Sequence, residues 1–212
     1  MCSLSFRNYA LIPLQLNKIA QRPMRNEKMD LELRRKLFHS IFGLISISIL
    51  FYFSRKILIL FLILLLLFGS IILVWKLQGN RIPIIDWFEV TFERKNVKFP
   101  GYGAFWYVVG TLLLTLSLNN VYEIAAAILT LALGDSAATI FGILGTHPLP
   151  YNRRKTIEGS LAFLIFSLLS CLLVGWVGIP LAFLTAVAES LPVPIDDNLL
   201  IPITAILFFI LI

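Results

Sequence analysis

Charge is scarce in this 212-residue chain. Asp, Glu, Lys and Arg make up 14% of it, against 58% apolar residues, too poor a polar surface for a soluble domain. Cysteine is scarcer: Cys2 and Cys171 stand far apart with no CxxC spacing, which points to neither a disulfide framework nor a zinc site. No Walker A loop, protein-kinase motif set or nucleophile elbow occurs, which excludes the common soluble nucleotide enzymes. Residues 1–28 hold no signal-peptide core, because Pro13 interrupts their apolar patch. Acids number only twelve in the whole chain, so their placement carries information.

Long apolar runs are abundant. They cover 37–53, 57–75, 103–118, 121–144, 159–177, 179–191 and 199–212. A helix needs about 20 residues to cross the ~30 Å apolar core of a bilayer, and the first five runs approach that length. The expected fold is an all-α polytopic membrane protein with about seven transmembrane helices. Residues 1–29 are expected to form a disordered cytoplasmic tail, with initiation at Met1, Met24 or Met29, and 30–212 a single membrane-embedded domain.

With seven spans the basic residues divide unevenly between the two sides. Eight lie in the tail to Lys36, five in the loop from Lys76 to Lys98 and three at Arg153, Arg154 and Lys155; only Arg55 and Lys56 fall opposite. That asymmetry predicts a cytoplasmic amino terminus, with the Arg153 triplet and the turn at 189–198 on the same face. The net charge of +6 is thus a feature of topology and anionic headgroups, compatible with an anionic substrate, and no nucleic-acid partner is expected.

The densest chemistry lies between Leu133 and Phe163. Asp135 stands about fourteen residues into an apolar run, roughly 21 Å along a helix, where a charge costs about 2.5–3.5 kcal/mol on insertion scales. A metal ion or a nearby cation must compensate it. Ala138, Gly142 and Gly145 follow on the same helical face, whose lack of bulk lets another backbone or a ligand approach. Beyond Pro148 and Pro150 come the Arg153 triplet, Thr156, Glu158 and Gly159. An acid, a small-residue groove and a basic cluster beside a turn suit a metal-bound polyphosphate, although Glu158 could simply pair with Lys155. Arg35, His39, Gly43 and Ser46 share a face of the first helix; an ionisable residue one turn inside a membrane is a functional candidate, though a lone His often just satisfies a backbone group. Glu189, Asp196, Asp197 and Asn198 exceed what helix capping needs. Residues 84–95 mix aromatics with charges in the manner of a helix lying in the interface.

These motifs resemble the CTP-dependent lipid kinase family of dolichol kinases, phytol kinases and CTP-dependent diacylglycerol kinases. Asp135-x-x-Ala138-x-x-x-Gly142, Gly145 and Arg154-Lys155-Thr156-x-Glu158-Gly159 resemble its CTP-binding pattern. Arg35-Lys36-x-x-His39 resembles its first-helix motif, and Glu189 with Asp196-Asp197-Asn198-x-x-x-Pro202 its last. One departure is the spacing of Gly142 and Gly145, where the family has GxxxG. The resemblance implies transfer of the γ-phosphoryl group of CTP to an isoprenoid or related lipid alcohol. It implies CTP contacts at Ala138, Gly142, Gly145, Arg153, Arg154, Lys155, Thr156 and Gly159. Mg²⁺ or another divalent cation is expected on Asp135 and Asp197, with Asp196 and Asn198 supporting. Asp135, His39 or Glu158 would accept the alcohol's proton; Arg35, Lys36 and Glu189 complete the motifs. The other expected partners are the substrate alcohol and membrane lipids. A lipid-phosphate cytidylyltransferase is the nearest alternative, though its PGHGG-type signature is missing; a small ion-coupled transporter is a second.

Overall fold

The structure is a computed structural model that describes residues 11–93 and 97–212, with side chains from residue 29. It is all-helical, 81% helix, with no strand among the described residues. The helices are α1 (Leu11–Tyr52), α2 (Arg55–Leu77), α3 (Pro83–Phe92), α4 (Tyr102–Ser117), α5 (Val121–Leu129), α6 (Asp135–Leu144), α7 (Ile157–Ser167), α8 (Cys171–Val174), α9 (Gly178–Ser190) and α10 (Asp197–Leu211).

Four stretches are long and apolar enough to cross a membrane: Met29–Tyr52, Arg55–Leu77, Val121–Leu144 and Ile157–Ser190. The helices Tyr102–Ser117 and Asp197–Leu211 are apolar but shorter. The expectation of seven spans thus meets four segments of spanning length. Runs 159–177 and 179–191 fall within one helical stretch, and runs 103–118 and 199–212 yield helices of only 16 and 15 residues. Backbone helix begins at Leu11, so part of the expected disordered tail is continuous with the first apolar helix. Residues 1–10 of that tail, and the side chains of 11–28, lie outside the described residues.

Val121–Leu144 is the centre of the assembly. Of its apolar stretch 72% is buried, against 11% for α2, which runs along the outside. Ile124, Ala125, Ala126, Ala127 and Ile128 are fully buried against Leu58, Leu62, Leu114, Leu181 and Ala205. Small alanines let neighbouring backbones close in where no water-driven hydrophobic term is available between helices in lipid. Between α5 and α6 the helix widens into one π turn, Thr130–Gly134, ending immediately before Asp135. Gly43 of α1 packs directly on Ala132 in this turn.

The Ile157–Ser190 stretch is folded back on itself. Gly175 takes φ +60°, left-handed backbone that favours glycine, and α7 and α9 then lie side by side. Ser170 Oγ donates to Gly178 O across the bend at 3.4 Å.

The bundle has two chemically different ends. At one, Arg55 donates to Thr115 O at 2.7 Å, Leu116 O at 3.0 Å and Asn119 Oδ1 at 2.7 Å, tying the α1–α2 turn to the α4–α5 turn. At the other end lie Arg35 and Lys36, the α3 segment, the loop between α6 and α7, and the α9–α10 turn. Here Asn152 donates to Ser190 O at 2.9 Å and Asn198 to Gly103 O at 3.4 Å. Helix α3 occupies most of the segment expected to be an interfacial helix; Arg94 and Lys95 lie outside the described residues.

Candidate active site

Asp135 opens α6 straight after the π turn, and its carboxylate meets Lys36 Nζ of α1 in an ion pair. Both residues are buried, 2% and 3% exposed. Lys36 is therefore the cation that Asp135 requires inside an apolar helix. Serines hold the two helices in register beside the pair: Ser40 Oγ lies 2.8 Å from Ser136 Oγ and donates to Ala132 O at 3.0 Å. A buried pair of this kind adds little net stability when intact, yet removing one partner costs about 3–5 kcal/mol.

A second lysine arrives from the loop between α6 and α7. That loop doubles back through Leu149 N to Lys155 O at 3.0 Å and Ile157 N to His147 O at 2.8 Å. Lys155 is thereby turned inward, where its Nζ donates to Glu189 Oε1 at 2.5 Å and Asp197 Oδ2 at 2.8 Å. Burial alone would pull the Lys155 ammonium below its usual range, but the Glu189 and Asp197 carboxylates outweigh it and hold it above. Lys155 remains charged at any physiological pH. Two lysines from different elements, Lys36 and Lys155, thus each pair with carboxylates.

Asp196 caps α10, accepting from Asn198 N at 3.0 Å and Asn198 Nδ2 at 2.9 Å. Burial pushes its carboxyl above the ordinary range, with the Asn198 amide offsetting part of this. His39 is buried against Tyr107, ring centroids 4.7 Å apart. Arg35 pairs with Glu32 at 2.7 Å, and a side chain at Gly103 would come 3.7 Å from Arg35 Nη1 and 4.0 Å from His39 Cε1.

Other expected site residues lie apart from this cluster. Glu158 holds the turn after α6: its Oε1 accepts from Thr146 N at 2.9 Å and His147 N at 3.2 Å, and pairs with His147 Nδ1 at 2.7 Å. It does not pair with Lys155. The face of Ala138 and Gly142 is occupied by α7, because a Cβ on Gly159 would come within 2.8 Å of Ala138 O and 3.1 Å of the Gly142 Cα. Gly145 sits against Glu158 and Thr156, and Thr156 caps α7 by accepting from Gly159 N at 3.2 Å. Arg153 and Arg154, which precede Lys155 in the chain, are exposed. Sequence reasoning missed Asn152, which anchors the basic loop to Ser190, and the Ser40–Ser136 pair; neither belongs to a charge or glycine pattern.

Among the described residues no group of three or more His, Cys, Asp or Glu could hold a metal ion unaided. Mg²⁺ demands less, taking one or two carboxylates and completing its shell with water and substrate phosphates. Glu189 Oε2, buried without a hydrogen-bond partner, and the neighbouring Asp197 suit that smaller demand.

Fold and site together define a helical membrane protein with a buried, lysine-paired carboxylate cluster at one end. An uncharacterized protein of Methanocaldococcus jannaschii is 36% identical over 175 residues, covering 81% of this chain and 88% of its own length. The chain belongs to the same family as that archaeal protein. A Glycine max protein bearing the name "Probable phytol kinase 3, chloroplastic" is 26% identical over 220 residues, 93% of this chain and 68% of that one. No family model matches, and no solved structure does.

Proposed function

We propose that this protein is a CTP-dependent lipid-alcohol kinase, moving the γ-phosphoryl group of CTP to the hydroxyl of an isoprenoid or related lipid alcohol. The observation that carries the reading is a pair of ion clusters at one end of the bundle, Lys36 with Asp135 and Lys155 with Glu189 and Asp197. An apolar helix bundle needs no such cluster to fold, and distant likeness to a phytol kinase points the same way.

Phosphoryl transfer asks mainly for positioning and charge neutralisation. Lys155, with Arg153 and Arg154 beside it, supplies cationic donors for the CTP phosphates. Glu189, Asp197 and Asp135 are the carboxylates for a divalent ion, which would supply charge neutralisation when bound. The alcohol oxygen forms the new P–O bond, the bond between γ-phosphorus and the β–γ bridging oxygen breaks, and CDP leaves. We assign the hydroxyl proton to His39, which lies with Arg35 beside Gly103 at the charged end of the bundle. We further propose seven crossings with the amino terminus and the charged end cytoplasmic; the basic asymmetry and the two dissimilar bundle ends support this.

Labelled CTP tests the reading. γ-Labelled CTP is expected to pass label to the lipid, and α-labelled CTP to leave it in soluble CDP. Lipid carrying the α-label would instead identify a cytidylyltransferase.

A further inference from the structure

A cavity of about 540 Å³ lies between α1, α2, α3 and α4. Most of its wall is apolar and aromatic, including Phe38, Phe42, Leu66, Leu73, Phe88 and Phe105. Polar groups meet around Gly103, where Arg35 and His39 approach it and Asn198 donates to its carbonyl; Asp196 joins them in the lining. Adjoining faces of α1 carry this polar end and the charged cluster. Arg35 and His39, four residues apart, line the cavity, while Lys36 and Ser40 on the adjoining face meet Asp135 and Ser136.

Helix α3 forms the wall nearest the polar end of the bundle. Phe88 and Phe92 turn inward on Phe38, with ring centroids 5.2 and 5.6 Å away. Ile84, Trp87 and Val90 face outward, 77%, 62% and 83% exposed. The helix is latched by Lys76, which reaches Asp86 at 2.7 Å and Glu89 at 2.5 Å. An apolar outer face on a short helix bearing charges is the signature of one seated in the membrane interface.

We propose that this cavity is the acceptor site, holding the tail of a single-chain lipid alcohol with its hydroxyl against Arg35 and His39, and that α3 is the flap beneath which the chain enters from the bilayer. This rests on the kinase reading. At roughly 30 Å³ per water-sized group, a cavity of about 540 Å³ has room for about 18 groups, the size of one chain of three to four isoprene units. A longer chain would leave the remainder in the membrane.

Gly69 of α2 gives a clean test. It lines the cavity, and a Cβ there meets nothing within 4 Å, so Gly69→Trp adds bulk at the cavity wall without a clash at its Cβ. The full chain, in phosphatidylcholine vesicles, is assayed with the C10, C15 and C20 isoprenoid alcohols and a long polyprenol at equal mole fraction. The expected result is a kcat/KM that climbs to C20 and then levels off. Gly69→Trp is expected to lower the C20 value about tenfold or more, with the C10 value and the KM for CTP within about twofold. A readout independent of activity is photolabelling by a C20 alcohol with a terminal diazirine, expected on the cavity-lining residues of α1, α2, α3 or α4. Label in the cavity without phosphoryl transfer would leave the pocket standing and remove the kinase. Phosphoryl transfer with a flat chain-length profile, an unaffected Gly69→Trp variant, or label elsewhere or nowhere would overturn the pocket and spare the kinase. Equal cavity labelling by a diazirine phosphatidylcholine would also overturn it, as a crevice filled by bulk lipid.

Discussion

Asp135 and Lys36 are the residues on which the site turns, and they differ in how visible they are from sequence. A carboxylate deep in an apolar run announces itself by its cost. Its partner does not, because Lys36 lies 99 residues away and reads equally well as an anchor at lipid phosphates. The pairing changes what a substitution means. Asp135→Asn alone strands a buried ammonium and is expected to destabilise the protein by about 3–5 kcal/mol, so its loss of activity would be ambiguous. The double variant Lys36→Met with Asp135→Asn removes both charges and is expected to recover most of that stability, as read by thermal melting in detergent. If the carboxylate serves the chemistry, the recovered protein still turns over at least about a hundredfold more slowly than wild type. A stable double variant with near-normal turnover would reduce the pair to a packing device.

At the scale of elements, the small-residue face of α6 and the turn before α4 show what spacing tells and what it withholds. Ala138 and Gly142 were legible as a surface that something approaches closely; that the visitor is the backbone of α7 depends on a helix 15 residues further on. The π turn at Thr130–Gly134 left no mark in the sequence, because Thr-Leu-Ala-Leu-Gly continues an ordinary apolar helix. Gly101 takes φ +78° in the turn before α4, and the clamp on that turn left no mark in the sequence. Glu93 at the end of α3 accepts from Gly101 N at 2.9 Å and Tyr102 N at 3.0 Å, fixing the cavity wall. Burial pushes the Glu93 carboxyl above its usual range, helped by the nearby Glu89 charge and opposed by the two N–H groups and Lys76. A raised folded-state pKa means that the folded protein binds the proton more tightly than the unfolded chain. This group's contribution is therefore most favourable at low pH and declines as pH rises from the ordinary carboxylate range of about 4.3 through the raised value. The difference in melting temperature between wild type and Glu93→Gln is expected to shift against wild type over that window and to be flat above it. A constant difference from pH 4 to 8 would show that Glu93 does not titrate in this way.

For the whole molecule, the sorting of charge between the two ends was legible from the basic residues, whereas the number of crossings was not, because length and hydropathy cannot show where a helix doubles back. The Ile157–Ser190 stretch is the crux. From Ile157 to the bend before Gly175 it runs about 27 Å at 1.5 Å per residue, enough to reach across a ~30 Å core. The return arm, Gly178–Ser190, has only 13 residues and spans about 20 Å. A hairpin of these dimensions either crosses twice through a locally thinned bilayer or enters and leaves on one side. Single cysteines decide between them in a chain whose Cys2 and Cys171 are replaced by Ser. Asn80, Arg153, Asn119 and Trp176 are all exposed, Trp176 at 86%. With seven crossings, Asn80→Cys and Arg153→Cys react with an impermeant maleimide only from the cytoplasmic side. Asn119→Cys and Trp176→Cys, at the Arg55 end and at the bend, react only from outside. Protection of Trp176→Cys from both sides, with the other three unchanged, would make the hairpin re-entrant and reduce the crossings to five without moving the charged end. Reaction of Arg153→Cys and Asn119→Cys from the same side would break the arrangement at α5 and α6, the helix that carries Asp135, and the site would lose its assignment to the cytoplasmic face.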